Sequence, residues 1–300
     1  MQKVAVDIGG TSVKLARVTP DGLRDLHRIP TPQGDADGSA TAAAIAAAVR
    51  AMLGTAGSTS LGLVAPGIVD HETQTVVRSV NLGWNDVAIA ALLRAHLDCD
   101  IRFGHDVGAA ALAEALVVRG ETQQTISFLP IGTGFSVATV MPDGSLAERG
   151  WAGEIGHLRS VLPSRAGTSG QSGIGESLES LASAAGIARR LGVRNAAAAA
   201  ELVRSGDSRA AEIWQHAVEV IADVVTWVTA LRAPDAIVIG GGLALSGPLL
   251  FDPLQTAIDE RLGDVPRVPV VAAQLGDLAA LHGAARLADA AYVPHPREIA

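Results

Sequence analysis

GTSVKLARVTPDG at residues 10–22 returns as GTGFSVATVMPDG at residues 132–144, a shift of 122 positions. Seven of the thirteen positions agree: Gly10/Gly132, Thr11/Thr133, Ala16/Ala138, Val18/Val140, Pro20/Pro142, Asp21/Asp143 and Gly22/Gly144. In both copies an apolar strand runs into a Gly-Thr turn, a second strand follows, and Pro-Asp-Gly turns the chain into a third strand. Unrelated β-meanders share such turn chemistry by chance. A duplicated fold, each half presenting its turn to a shared cleft, accounts for the order of the features as well as their residues.

Outward from these hairpins, strands alternate with helices. Ala-rich helical periodicity covers roughly 39–53, 86–96, 107–119, 176–191, 195–204 and 208–231, and apolar runs at 61–65, 100–104, 236–239 and 268–272 read as strands. The alternation defines an α/β chain. A Gly/Ser-rich loop, SRAGTSGQSGIG, fills 164–175. The expected domains are a smaller one over 1–117, completed by a C-terminal helix near 285–300, and a larger one over 118–284.

Composition narrows the function. The 300 residues are 48% hydrophobic and 18% charged, enough for two cores. A formal net charge of −8 argues against sequence-independent binding to nucleic acid, which needs clustered Lys and Arg. The single cysteine, Cys99, allows no intramolecular disulfide and no CxxC site. The sequence enters a strand pattern at Lys3 without a leader pattern and has no apolar run of membrane-spanning length, so a cytoplasmic location and no membrane partner are expected.

The first turn, Asp7-Ile8-Gly9-Gly10-Thr11-Ser12-Val13-Lys14, suits a phosphate. Gly9 and Gly10 let the backbone approach an anion, Thr11 adds a hydroxyl, and Asp7 sets a carboxylate where Mg2+ or its water shell could sit. Taken alone, the same residues make a tight hairpin. Gly240-Gly241-Gly242 follows the strand at 236–239 and would leave a flat backbone for an adenine or ribose, or form an ordinary strand-to-helix turn. Neither G-x-G-x-x-G nor a Walker A loop occurs at these places. Asp106, before Val107-Gly108-Ala109, suits a helix N-cap on local sequence.

In order along the chain, Asp7 to Lys14, Pro66-Gly67-Ile68-Val69-Asp70, Asp106, Gly132-Thr133-Gly134, Gly153-Glu154-Ile155-Gly156-His157 and Gly240-Gly241-Gly242 resemble the ROK family of sugar kinases. The resemblance implies the duplicated actin-like, ribonuclease H-like two-domain fold with an interdomain cleft. It implies ATP and Mg2+ as cofactors, the nucleotide held by Asp7, Gly9, Gly10, Thr11, Lys14, Gly132, Thr133, Gly134, Gly240, Gly241 and Gly242. Asp106 would be the general base. Gly67, His105, Asp106, Glu154, His157 and Glu179 would bind the sugar, carboxylates suiting vicinal hydroxyls because each oxygen accepts strong hydrogen bonds. A homo-oligomer, dimer or tetramer, is implied as well.

Two departures from the family pattern matter. Where the family carries C-x-C-G-x-x-G-C-x-E, the register here gives Gly170, Ser172, Gly173, Glu176, Ser177 and Glu179. All three cysteines are gone, so no structural zinc is expected. Where the family commonly has Asn before the catalytic Asp, this chain has His105, and imidazole differs from an amide in reach and charge. The expected activity is transfer of the γ-phosphate of ATP to the 6-hydroxyl of a glucose-like hexose. The alternatives are an amino-sugar 6-kinase acting on a substrate such as kanosamine, a polyphosphate-using glucokinase, and a non-catalytic sugar sensor.

Overall fold

A computed structural model describes residues 2–54, 59–120, 123–147, 150–159 and 175–294. The chain divides into two units, Met1–Thr122 with Arg149–Trp151 and Asp277–Ala300, and Gln123–Glu148 with Ala152–Gly276. The expected limits at 117 and 285 thus compare with 122 and 277.

The first unit begins with β1 (Gln2–Ile8), β2 (Ser12–Thr19), β3 (Gly22–Pro30), α1 (Ser39–Leu53) and β4 (Thr59–Ala65). A small sheet follows, β5 (Ile68–Asp70), β6 (Thr75–Ser79) and β7 (Trp84–Val87), then α2 (Ile89–Arg94), β8 (Cys99–His105) and α3 (Asp106–Arg119). The main sheet has the order β3-β2-β1-β4-β8, with β1, β4 and β8 parallel. Alternation along β1 sends Val4, Val6 and Ile8 into one core and Ala5 into another on the opposite face. The start of α1 is fixed by buried Asp35, whose carboxylate accepts from Ala40 N (3.1 Å), Thr41 N (2.8 Å) and Thr41 Oγ1 (2.6 Å). These bonds satisfy N–H groups that a helix start otherwise leaves open.

The second unit holds β9 (Ile126–Pro130), β10 (Ala138–Val140), α4 (Leu178–Ala182), α5 (Ala184–Leu191), α6 (Ala196–Arg204), α7 (Ser208–Arg232), β11 (Ala236–Gly240), α8 (Pro248–Leu262) and β12 (Val270–Ala272). Its sheet runs β10-β9-β11-β12, with β9, β11 and β12 parallel and β10 antiparallel. This repeats the β2-β1-β4-β8 arrangement of the first unit. A helix expected over 176–191 is two helices meeting at Ser183, whose hydroxyl accepts from Gly186 N at 2.9 Å and so starts α5. The helix expected from 86 begins at Ile89 because Trp84–Val87 pairs as a strand with β6.

The two hairpins differ in ways an ungapped comparison hides. In the first, Ile8 faces Val13 across four residues, while in the second Ile131 faces Phe135 across three. The shorter turn slides the register by one, so that Pro130 comes opposite Ser136 where Asp7 lies opposite Lys14. The third strand expected after Pro142-Asp143-Gly144 is reduced to a single bridge, Val140 with Leu146. Asp143 closes that turn instead, accepting from Ser145 N (2.9 Å) and Oγ (2.7 Å).

The chain returns to the first unit with α9 (Ala279–Ala288), earlier than the helix expected near 285–300. Residues 295–300 lie outside the described set. Gly62 of β4 lies directly beneath α9: a Cβ built there would be 1.8 Å from Ala284 O. Ser60 Oγ donates to Ala288 O at 3.0 Å, and a Cβ on Gly283 would meet Ala109 O of α3 at 2.2 Å. Small residues thus seat α9 backbone-close on both the sheet and α3. Among the described residues no helix is long and apolar enough to cross a membrane.

Candidate active site

In the first unit the parallel strands β1, β4 and β8 are neighbours, and their C-terminal ends deliver Asp7 to Gly10, Gly67, and His105 with Asp106 to one sheet edge. Ligand sites of open α/β sheets form at such an edge. The turn after β1 is held from behind: Thr31 Oγ1 donates to Gly9 O (2.6 Å), Gln33 Nε2 to Gly10 O (3.3 Å) and Thr31 N to Thr11 O (3.0 Å). With three carbonyls engaged, the N–H groups of Gly10 and Thr11 have no partner among the described residues. They are the donors an anion needs.

Asp7 is only 6% exposed, and burial, opposed by Lys14, pushes its carboxyl up to about 6, with the Asp106 charge adding to the rise. Lys14 Nζ lies 3.2 Å from Asp7 Oδ2 and donates to Asp277 O at 2.6 Å, while Arg28 pairs with the Asp277 carboxylate at 2.8 Å. The lysine is therefore occupied as a tether of Asp7 and of the segment that leads into α9. A buried carboxylate whose charge is this costly gains from a cation, so the residues present suit Mg2+. Because the folded carboxyl binds its proton more tightly than an unfolded one at 3.8, its charge destabilises the fold progressively as pH rises from about 4 to 6, and fully above. Asp7→Asn should accordingly stabilise the apo protein by about 1 to 3 kcal/mol at pH 8 and leave it nearly unchanged at pH 4, in denaturant titrations at the two pH values.

Asp106 is the first residue of α3, with His105 in the cap position, which corrects its reading as the N-cap. Its Oδ1 accepts from Val107 N at 2.7 Å and lies 3.1 Å from His105 Nε2. The histidine thus turns toward the carboxylate. Gly67 has φ +105°, and a Cβ there would be 2.2 Å from Arg78 O, so the β5–β6 hairpin alone requires glycine.

The second unit gathers its own set. Gly156 N donates to Phe135 O (2.9 Å) and Val137 N to Gly153 O (2.9 Å), docking the Glu154 segment on the residues after the Gly132 turn. Glu179, on the first turn of α4, comes to the same place: its Oε2 would lie 3.1 Å from a Cβ on Gly134. His157 is 69% exposed, with Nε2 3.8 Å from Glu154 Oε2. The structure thus brings Glu179 to Gly134 and docks the Glu154–His157 segment on Phe135 and Val137, just after that turn. Among the described residues no group of three His, Cys, Asp or Glu could hold a metal, and Gly170, Ser172 and Gly173 lie outside them.

The three glycines that end β11 and follow it have separate reasons. A Cβ on Gly240 would strike the Phe128 ring at 2.7 Å and one on Gly241 the Ile131 carbonyl at 2.5 Å. Only Gly242 is open, its nearest neighbour being Ala184 Cβ at 4.0 Å. With Gly132 and Thr133 it lines a groove of about 610 Å3 along α5 and the start of α6. Sequence reasoning missed Thr31, Gln33 and Asp277, whose roles arise from contacts across 20 to more than 250 positions.

The chain belongs to the ROK family, whose profile it matches over residues 3–291. It is 28% identical to the glucokinase of Streptomyces coelicolor over 311 residues, covering 95% of this chain and 96% of the relative. It is also 28% identical to an N-acetyl-D-glucosamine kinase of Escherichia coli over 303 residues, covering 94% and 97%. Among solved structures, a ROK hexokinase from Thermus thermophilus superposes with a TM-score of 0.77 at 27% identity, covering 96% of this chain and 97% of the other. The architecture is the duplicated actin-like fold of ROK kinases, and the protein is a sugar phosphotransferase with an alcohol acceptor.

Proposed function

We propose that the protein is an ATP-dependent hexokinase that phosphorylates the 6-hydroxyl of a glucose-like hexose, with Asp106 as general base. The observation that carries this is the single sheet edge bearing Asp7, the Gly9–Thr11 turn, Gly67 and Asp106. Asp106 accepts the proton of the sugar hydroxyl as that oxygen attacks the γ-phosphorus. Gly67, His105, Glu154, His157 and Glu179 orient the sugar, and the N–H groups of the Gly9–Thr11 and Gly132–Gly134 turns hold the phosphates. Asp7, directly or through water, would hold Mg2+, which neutralises charge on the phosphates. Adenosine lies in the groove beside Gly242. No structural zinc is part of this reading.

A second reading, an amino-sugar 6-kinase, is favoured by one contact. His105 Nε2 occupies a position 3.1 Å from Asp106 Oδ1, in place of the family's usual amide. Carboxylates among the proposed sugar ligands, Asp106, Glu154 and Glu179, would suit a cationic amine. ADP release measured across glucose, mannose, fructose, N-acetylhexosamines, glucosamine and kanosamine tests both. Glucose is expected to give the highest kcat/KM; an amino sugar at least tenfold ahead of glucose would install the second reading, and no turnover with any hexose would sink both.

A further inference from the structure

Two glycines in succession give the turn after β1 a freedom that works against anion binding. The peptide plane between Gly9 and Gly10 carries the Gly9 carbonyl on one edge and the Gly10 N–H on the other, and the two point in opposite directions. Turning that plane over rotates ψ of Gly9 and φ of Gly10, and neither residue has a Cβ to oppose the rotation. A plane turned over presents a carbonyl oxygen where a phosphate needs a donor.

One residue supplies the restraint. Thr31, buried behind the turn, donates through Oγ1 to Gly9 O at 2.6 Å and through its own N–H to Thr11 O at 3.0 Å. Its carbonyl accepts from Gln33 Nε2 at 2.9 Å, and the same amide reaches Gly10 O at 3.3 Å. Thr31 is itself well fixed. Pro30 before it lies opposite Ser12 in the β2–β3 ladder, and Pro32 after it confines its backbone to the extended region. The hydroxyl bond to Gly9 O is the shortest of the set, and it acts on the peptide that two glycines leave free to turn.

We propose that Thr31 is a positioning residue for phosphoryl transfer: its hydroxyl locks the Gly9–Gly10 peptide in the orientation that presents the Gly10 N–H to the phosphates of the nucleotide. Thr31 touches no substrate and acts through that peptide alone. The inference rests on the reading that the Gly9–Thr11 turn holds phosphates. Its effect should therefore follow the phosphates of a ligand and spare both the nucleoside and the sugar.

Thr31→Val keeps the shape of the side chain and the N–H bond to Thr11 O while removing the hydroxyl. In steady-state kinetics it should raise the KM for ATP by about tenfold, the order of one hydrogen bond, and leave the KM for the sugar within about twofold. Inhibition constants measured against ATP should weaken by about tenfold for ADP and by less than about twofold for adenosine. Thr31→Ser, which restores the hydroxyl, should bring the ATP and ADP values back to within about threefold of wild type. An unchanged KM for ATP in Thr31→Val would overturn the proposal. So would an equal loss for ATP, adenosine and sugar, or a Thr31→Ser variant as impaired as Thr31→Val, since each makes the residue a matter of packing. If Thr31→Val fails to accumulate, Gln33→Leu carries the test at the neighbouring plane: Gln33 is exposed, and losing its bond to Gly10 O should weaken ADP by about threefold and adenosine not at all. Thr11→Asp separates the two layers of the argument, because a carboxylate at this exposed position repels phosphates held there. Normal ADP affinity in Thr11→Asp would remove the phosphates from the turn, and the inference with them; weakened ADP there beside an unaffected Thr31→Val would overturn the role of Thr31 alone.

Discussion

With Asp106 as the proposed general base, Asp106→Asn is expected to lower kcat by a factor of about 100 to 10,000 while leaving the dissociation constant for the sugar within about threefold of its original value. The asparagine is nearly isosteric, and its carbonyl oxygen can still accept from Val107 N as Oδ1 does at 2.7 Å, so the start of α3 is preserved. It cannot take a proton at neutral pH. What is lost is confined to the step in which the sugar hydroxyl gives up its hydrogen. The comparison of kcat, by ADP release, with sugar affinity, by calorimetry, isolates that step. A variant that turns over at close to the normal rate would reassign the base. One that loses sugar affinity and rate in equal measure would make Asp106 a binding group.

Gly62→Ala is expected to have the largest effect on stability. The added methyl would lie 1.8 Å from Ala284 O and 2.7 Å from Ala288 N, and both are backbone atoms that no rotamer change can move aside. The helix cannot slide along the sheet to make room, because α3 holds it at Gly283, where Ala109 O already fills the place of a Cβ. It must lift, which breaks the Ser60 bond to Ala288 O and opens the core around Ala5, Val64 and Leu281. Overpacking against backbone on this scale costs about 4 kcal/mol or more, a large part of the roughly 5 to 15 kcal/mol that holds a folded domain together. Thermal melting should fall by about 10 °C, or the protein should fail to accumulate in soluble form. A melting temperature within about 2 °C of wild type would show that α9 has slack to yield.

Much of the frame was legible because its signals are local. The helix read at 39–53 is Ser39–Leu53, and the one read at 208–231 is Ser208–Arg232. Both hairpins announce themselves through Gly-Thr and Pro-Asp-Gly, whose conformational demands act within four residues. Short elements with mixed composition were not legible: β5 has three residues and β7 reads Trp-Asn-Asp-Val, and each becomes a strand only by pairing with β6. Helix α8 carries Pro253 in its interior, which weakens the periodic signal without stopping the helix. The break at Ser183 was hidden inside an Ala-rich run because a capping serine looks like any other until its hydroxyl finds Gly186 N.

In the candidate site, residue types were legible and directions were not. Asp106 stood out beside a helix start, yet nothing in His105-Asp106 says that the imidazole turns toward the carboxylate. The family resemblance implied that Lys14 holds the nucleotide, whereas its ammonium is engaged by Asp7 and by Asp277, 263 positions away. Such partners are set by topology, and topology is where single-residue reading runs out of information.

The placement of α9 also fixes an order of events during synthesis. The second unit is drawn almost entirely from one continuous run ending at Gly276, and all of its sheet is available before the ribosome has made Asp277. The five strands of the first unit's main sheet are made long before, but the face around Ala5 and Val64 lacks α9 until Leu281 and Ala285 arrive. The half made first is therefore completed last, holding an apolar surface open to solvent while some 150 residues are translated, which at about 5 to 20 residues per second is roughly 10 to 30 seconds. The alanines and glycines that let α9 dock so closely also keep that waiting surface small-featured and weakly adhesive.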